Sequence, residues 1–220
     1  MMTIAVCVCS YGDESWREIA LSRAVPSVEG QEADELIVVH EPSGDIASCR
    51  NHAAESASSQ AIIYCDADDE LDTGYVAAMR AAVTDTAPVL ATPRVSYIVK
   101  GRAQHPKFWP EKPLSQGNWM VIGTMVQRDQ FLATGGFDAR PHAFEDWAVF
   151  ARLWRDGARI VKVPAAVYRA HWMPNSRNKR LTREEQVRLH YDLGRELFPG
   201  EYPPSWLDTH LANARRVSRR

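Results

Sequence analysis

Two acidic motifs in this sequence have the residue types and the spacing of catalytic groups. Asp66 and Asp68 belong to "AIIYCDADDELD" (61–72), in which a short apolar run ends in a crowd of acidic residues. Carboxylates at positions i and i+2 at a strand end can face one hard cation, and Mn²⁺ or Mg²⁺ would relieve their mutual repulsion. The alternative is a turn in which aspartates cap backbone N–H groups.

The second motif is the pair Glu145 and Asp146, which opens the amphipathic segment "FEDWAVFARLW". A carboxylate held at a helix start beside a cleft can act as a general base, although the helix dipole alone also favours acidic residues there. Two further positions could assist. His171 is a possible third metal ligand, and Arg50, followed by Asn51, could hold a phosphate or a nucleotide edge. The alternatives are a structural histidine and a surface salt bridge.

Alternating strands and helices in the first hundred residues must position these groups. Apolar runs predict a strand buried on both faces at 3–9, a second buried strand at 35–40 and a third strand at 61–65. The segments between them predict a helix at 15–25 that Pro26 breaks and a helix at 46–59 capped by Ser48. This order predicts an open α/β sheet, in which ligands bind beyond the carboxyl ends of parallel strands. The acidic cluster would then lie at the ligand cleft.

The second half of the sequence is less regular. It predicts a long loop at 101–119 and strands at 119–128, 159–164 and 165–172. A short helix would end at Gly135–Gly136, and the capping box Thr182–Glu185 would open another.

Composition excludes several classes of protein. A chain of 220 residues with 45% hydrophobic content suits one globular domain, and a net charge of −2 gives no overall bias toward nucleic acid or membranes. Four cysteines without a C-x-x-C pair indicate buried thiols in a reducing compartment rather than a zinc site. The start lacks a signal-peptide pattern, so we expect a cytoplasmic protein. Basic residues near 177–183 and 215–220 form either a solvated tail or a contact with a membrane surface or nucleic acid.

Taken in order, the motifs resemble a known family. "IAVCVCSYGDES", "CRNHAAESASSQAIIYCDADDEL", "TGGFDARPHAFEDWAVFARLWRDG" and "VYRAHWMPNS" are similar to family-two glycosyltransferases with the GT-A fold. The resemblance covers residues 3–176. It implies an α/β, Rossmann-like GT-A catalytic domain at 1–176 with a mostly parallel central sheet, followed by a helical extension with a basic tail at 177–220. The implied activity is that of a hexosyltransferase, which moves a sugar from a nucleotide diphosphate donor to an acceptor hydroxyl with inversion.

The resemblance also implies roles for the strand-end residues. Ser10 and Tyr11 would close the first strand against the nucleoside, and Arg50 would approach the nucleotide. Asp66 would face the ribose or the metal, and Asp68 would bind the Mn²⁺ or Mg²⁺ that bridges the diphosphate.

The remaining motif residues complete the implied site. Asp146 would be the catalytic base with Glu145 beside it, and His171 could reach the metal or the diphosphate. One departure concerns the base-recognition position, where the family usually has "DDGS" and this chain has "HEPSG" (40–44). Glu41 would replace an aspartate there, which leaves the identity of the nucleobase open. A UDP-sugar is the expected donor.

Other functions remain open at this stage. A sugar-nucleotide nucleotidyltransferase would normally carry a Gly-rich basic loop after its first strand, and "SYGDES" is acidic. A metal-dependent nuclease would have a lysine close behind its acidic pair, and none follows here. A non-catalytic GT-A-like binding module is the third alternative. The acceptor could be a polysaccharide, a lipid-linked sugar, a protein or modified DNA, met by aromatic residues of the 101–119 loop such as Trp109 and Trp119.

Overall fold

The computed structural model describes residues 1–84, 87–138, 143–172 and 181–218. The strands are β1 (Ile4–Tyr11), β2 (Glu35–Glu41), β3 (Ala61–Asp66), β4 (Glu70–Leu71), β5 (Val89–Val99), β6 (Arg102–Ala103), β7 (Met125–Gln127) and β8 (Arg159–His171). The helices are α1 (Glu14–Ser22), α2 (Ala24–Glu29), α3 (Ile46–Ser56), α4 (Tyr75–Ala82), α5 (Arg128–Ala133), α6 (Glu145–Arg155), α7 (Arg183–Leu197) and α8 (Pro204–Ser218), with a 3₁₀ turn at Leu114–Gln116.

The strands form one mixed sheet in the order β2-β1-β3-β7-β5-β8-β4, with β6 paired to β5. The long ladders β1–β2, β1–β3 and β5–β8 are parallel, whereas the short strands β4, β6 and β7 pair in antiparallel fashion. The prediction of an α/β fold with a mostly parallel central sheet is therefore confirmed. The antiparallel β7 separates two parallel halves.

Burial along the first strands partly departs from the prediction. Ile4 to Cys9 of β1 are fully buried, because β1 lies between β2 and β3. The prediction that β2 is a buried strand was wrong for one of its two faces. This strand is at the sheet edge, where Ile37 and Val39 pack against the core while Leu36 and Val38 are 36% and 42% exposed.

Two helix boundaries also differ from the prediction. The first helix ends at Ser22, and Pro26 lies in the first turn of the separate helix α2, where a missing backbone N–H costs nothing. Helix α3 is capped by Asp45 rather than Ser48. The Asp45 carboxylate accepts from the Ser48 N–H at 2.9 Å and the Ser48 hydroxyl accepts from the Asp45 N–H at 3.1 Å, so Ser48 is the reciprocal member of a capping box.

The strands of the second half were divided differently in the prediction. The expected strand at 119–128 shortens to Met125–Gln127, because the preceding residues form a loop. The two strands expected at 159–164 and 165–172 are one strand, β8. A shift in register opposite Pro93 and Arg94 of β5 bends β8 where the sequence suggested a break.

Helices α7 and α8 pack beside α6. Thr182 and Glu185 form the predicted capping box of α7, and the His190 ring on α7 stacks between Trp147 of α6 and Trp206 of α8. The expected domain boundary at residue 176 lies outside the described residues, as do the basic residues Arg177, Lys179, Arg180, Arg219 and Arg220. Among the helices that the structure describes, none has both the length and the apolar character needed to cross a membrane.

Candidate active site

The parallel register of the first three strands brings the predicted donor residues to one edge of the sheet. Ser10 and Tyr11 of β1 lie opposite His40 and Glu41 of β2, and Cys9 lies opposite Asp66 of β3. Four of the predicted site residues therefore lie at strand ends that meet at the same edge of the sheet: Ser10, Tyr11, Glu41 and Asp66.

At the predicted nucleoside end of this edge, the side chains of Ser10 and Glu41 are each oriented by a histidine. The buried Ser10 hydroxyl lies 2.9 Å from His40 Nδ1. The Glu41 carboxylate lies 2.9 Å from Nδ1 of His52, which is in the middle of α3. These contacts hold the carboxylate of Glu41 toward α3 at the end of β2.

The crowded acidic stretch 66–72 distributes its carboxylates over different partners. Asp66 pairs with Arg50 at 2.5 Å. The buried Asp69 accepts from the His171 backbone N–H at 2.8 Å, and Glu70 lies 2.5 Å from His171 Nε2. Asp72 pairs with Arg169 at 2.7 Å, so three of these acids hold the last residues of β8.

Two carboxyl groups of this stretch, Asp68 and Asp69, have raised pKa values. Burial, followed by the negative charge of Asp66, raises the pKa of Asp68 to about 6. Burial and the charges of Asp68 and Asp66 also raise the pKa of Asp69. A second positive charge near Asp66 and Asp68 would lower both raised pKa values, because it favours the ionised carboxylates.

Arg50 connects the two acidic motifs. Its guanidinium is buried and donates to Asp66 Oδ1 and, at 3.0 Å, to Glu145 Oε1. It also lies over the Phe137 ring, 5.1 Å from the centroid. Burial opposes the charge of Arg50, but the two carboxylates outweigh it and raise its pKa. The carboxylate of Glu145, which is 4% exposed, is therefore engaged in a buried ion pair.

Asp146, the neighbour of Glu145, has a different environment. Its Oδ1 accepts from the Trp147 backbone N–H at 2.7 Å, and its Oδ2 accepts from the Asn118 side-chain amide at 2.9 Å. The Asn118 carbonyl in turn accepts from the Met120 N–H at 2.9 Å, which fixes the direction of the amide group. The "ED" pair thus splits into a buried ion-pair partner and a carboxylate oriented at the start of α6.

Asn51 has a structural role beside Arg50. Its side chain donates to Phe137 O at 2.9 Å and accepts from Phe137 N at 2.8 Å. Gly136 has φ +67°, and a Cβ there would lie 2.4 Å from Asn51 Oδ1. The "RN" and "GGF" motifs therefore depend on each other through direct contact.

A cleft of 430 Å³ opens at these groups. Four predicted site residues line it: Arg50, Asp66, Glu145 and Asp146. Residues that the sequence did not single out as site residues also line it, among them Lys112, Asn118, Gln186 and His190. Trp109 lines the cleft, whereas Trp119 is buried and anchors the loop. The signal for Trp109 was an aromatic residue in a long loop, but no pattern indicated that α7 would reach the cleft.

Comparison with known proteins places this architecture in a family. The sequence model described as "Glycosyl transferase family 2" matches residues 17–144, more than half of the chain. The chain belongs to glycosyl transferase family 2. The matched range ends at Phe144, directly before the "ED" motif of α6, and no curated protein matches the sequence.

Solved structures show that this family-2 glycosyltransferase has the GT-A fold. The chain is similar to S. aureus TarS 1–349, with 15% identity and a TM-score of 0.63 over 97% of this chain and 70% of that one. The structure of TarS 1–349 in complex with UDP-GlcNAc gives 14% identity and a TM-score of 0.68 over 97% and 71%. A longer TarS structure gives 15% identity and a TM-score of 0.65, with 43% of that chain covered.

The strand-end carboxylates of this glycosyltransferase fit part of a divalent metal site. Asp66 and Asp68 offer the oxygen ligands that Mg²⁺ and Mn²⁺ prefer, and substrate phosphates and water usually supply the others. In the part of the chain that the structure describes, no three acidic, histidine or cysteine side chains converge as a complete ligand set. The imidazole of His171 contacts Glu70, and its role as a metal ligand stays a prediction.

Proposed function

We propose that the chain transfers a sugar from a UDP-sugar to an acceptor hydroxyl in a single, metal-assisted displacement with inversion. The observation that carries the proposal is the orientation of Asp146. Its carboxylate is held by Asn118 at the wall of a cleft that Asp66 also lines. One carboxylate at the acceptor and a second acidic group at the donor are what such a displacement requires.

In this mechanism Asp146 accepts the proton of the acceptor hydroxyl as its oxygen bonds to the anomeric carbon. The bond from that carbon to the diphosphate breaks in the same step, so the configuration inverts and no covalent enzyme intermediate forms. Glu145 takes no proton, because its carboxylate neutralises Arg50 and thereby keeps the guanidinium aligned with Asp66. A cation held by Asp66 and Asp68 would stabilise the charge that develops on the leaving diphosphate.

The choice of UDP rests on two supports. TarS, which is similar in fold, has been crystallised with UDP-GlcNAc and with UDP. In this chain the Glu41 carboxylate is held by His52 at the strand end where the nucleoside is expected. The cytoplasmic location expected from the sequence stays a prediction, and so does contact between the basic C-terminus and membranes or nucleic acid.

Calorimetric titration with UDP, GDP, dTDP and CDP, each with and without Mn²⁺, tests the proposal. We expect metal-dependent binding of UDP that is lost in Asp68→Ala. Tight binding of another nucleotide would overturn the UDP assignment alone. No binding of any nucleotide would overturn catalysis and favour a non-catalytic GT-A-like module.

A further inference from the structure

One wall of the cleft carries a lysine that the proposed mechanism does not use. Lys112 precedes the 3₁₀ turn, and His190 approaches it from α7. A Cβ on Gly117 would lie 2.8 Å from Lys112 Nζ and 3.0 Å from His190 Cε1, so the ammonium and the imidazole meet over this glycine. Gly117 has φ +124°, which favours glycine and leaves the ammonium its space.

The charge of Lys112 is not neutralised by any side chain that the structure describes. Within the described ranges of the chain it makes no ion pair or hydrogen bond, whereas Arg50, the other cation of the cleft, has two carboxylate partners. The adjacent Glu111 pairs with Lys162 instead. Lys112 is an exposed residue at the cleft, but the wall around it removes some of the water from the ammonium and thereby lowers its pKa. An anion in the cleft would restore the lost favourable interaction.

The histidine beside this lysine is neutral, so the charge of the wall is that of Lys112. The Tyr202 hydroxyl donates its one hydrogen to Ser115 O, and the same hydroxyl oxygen lies 3.0 Å from His190 Nε2. The hydroxyl can therefore only accept from the imidazole, so the hydrogen of this second bond is on Nε2. Burial, followed by the charge of Lys112, lowers the pKa of His190 to about 4. The wall therefore presents one cation beside a neutral aromatic ring.

Lys112 shares the cleft with the donor residues Arg50 and Asp66, but it lies on the side of the general base. Gly117 directly precedes Asn118, which holds the Asp146 carboxylate, so Lys112 lies on the wall that carries the general base. Asp68 and the strand-end residues Ser10 and Glu41 are not part of the cleft lining. The cleft volume of 430 Å³ is within the range of small-molecule sites.

Taking the proposed function as its basis, we propose that this wall is an acceptor subsite that binds an anionic group, a phosphate ester or a carboxylate, through Lys112. The geometry thus restricts the acceptor to a negatively charged molecule. Helix α7 shapes the subsite through His190, which fixes the space available to the ammonium. The subsite orients the acceptor so that one of its hydroxyls reaches Asp146.

The five lysines of the chain allow a direct test by NMR of ¹³Cε-labelled lysine, with the Lys112 signal assigned from Lys112→Gln. Inorganic phosphate is titrated first, followed by methyl glucuronide and the matched neutral methyl glucoside. We expect the Lys112 signal to shift saturably with the two anions. The affinity for the neutral sugar should be at least about tenfold weaker. The signal of the exposed Lys107 should show only non-saturating changes. Equal responses at Lys112 and Lys107, or no preference for the anion, would overturn the proposal.

A second arm distinguishes an acceptor anion from the diphosphate of the donor. The phosphate titration is repeated with UDP and Mg²⁺ at saturation. Retained phosphate binding at Lys112 supports an acceptor subsite, whereas its loss would assign Lys112 to the donor and overturn the inference. UDP affinity measured by calorimetry should be the same in Lys112→Gln, in Lys107→Gln and in the unsubstituted protein. Absence of UDP binding in all three would instead count against the proposed function.

Discussion

The neighbouring residues Glu145 and Asp146 should respond in opposite ways to loss of their charge. Glu145 is 4% exposed and pairs at 3.0 Å with Arg50, which is 3% exposed. Asp146 lines the cleft and accepts hydrogen bonds from the start of its own helix and from Asn118. We therefore expect Glu145→Gln to lower the free energy of unfolding and Asp146→Asn to remove transfer with little effect on stability.

The magnitude follows from the partners that remain. Removing one member of a buried ion pair costs about 3–5 kcal/mol when the other charge is left alone. Here Asp66 still neutralises Arg50, and the glutamine oxygen can still accept from Nη1, so we expect a loss of about 2 kcal/mol. In a chain of this size that loss lowers the melting temperature by about 4–8 °C. Asp146→Asn keeps one oxygen as an acceptor in a hydrated cleft and should cost about 0.5 kcal/mol.

Thermal and urea unfolding measure the stability arm of this prediction. Calorimetry with the nucleotide that binds measures donor binding. Turnover is measured as the release of that nucleoside diphosphate from the corresponding nucleotide sugar. We expect Asp146→Asn to bind the donor normally and to lose turnover by at least about 100-fold. If Glu145→Gln unfolds like the unsubstituted protein, or if Asp146→Asn retains normal turnover, the division of roles between the two carboxylates is refuted.

Three further predictions concern the proposed metal ligand Asp68, the residue that orients Asp146, and the glycine motif. Folding raises the pKa of Asp68 to about 6, because the protonated carboxyl group is favoured in the folded protein. The stability that this protonated group contributes is therefore fully present below about pH 4 and is lost as the pH rises through 6. Asp68→Asn should therefore raise the melting temperature of the metal-free protein at about pH 7.5, but not at about pH 4. Asn118→Leu should lower kcat by about 10–100-fold without changing donor affinity, since it removes the amide that orients Asp146. Gly136→Ala should destabilise the protein by about 2 kcal/mol or more, because the new Cβ would meet Asn51 Oδ1 at 2.4 Å in a backbone conformation with positive φ.

Matched controls make these outcomes decisive. Gly135→Ala has a similar positive φ but open space around the Cβ, so a cost equal to that of Gly136→Ala would remove the contact with Asn51 as the cause. Asn118→Asp replaces the amide donor with a second acceptor beside Asp146, and full activity in this variant would show that the hydrogen bond has no positioning role. Asp129→Asn, at an exposed position, controls for the loss of one negative charge in the Asp68 experiment.

The local patterns of the sequence were sufficient to predict one edge of the site. Apolar runs predicted β1 and β3, and their parallel pairing brings Ser10 and Asp66 to the same edge. The capping box of α7 was equally readable, since both of its members lie within one turn. In each case the interacting groups are close in the chain or belong to a regular periodic element, so the pattern carries the information.

Tertiary structure alone decided how the acidic motifs divide their work. Arg50 and Glu145 are 95 positions apart, and Asn118 and Asp146 are 28 apart, so no periodicity could indicate that they bond. The exposed face of β2 and the approach of His190 to Lys112 also depend on which elements become neighbours. The sequence determined which groups stand at the strand ends. Packing of α3, α6 and α7 around them decided which carboxylate is neutralised, which one is oriented at the cleft and which cation has no counter-charge among the described residues.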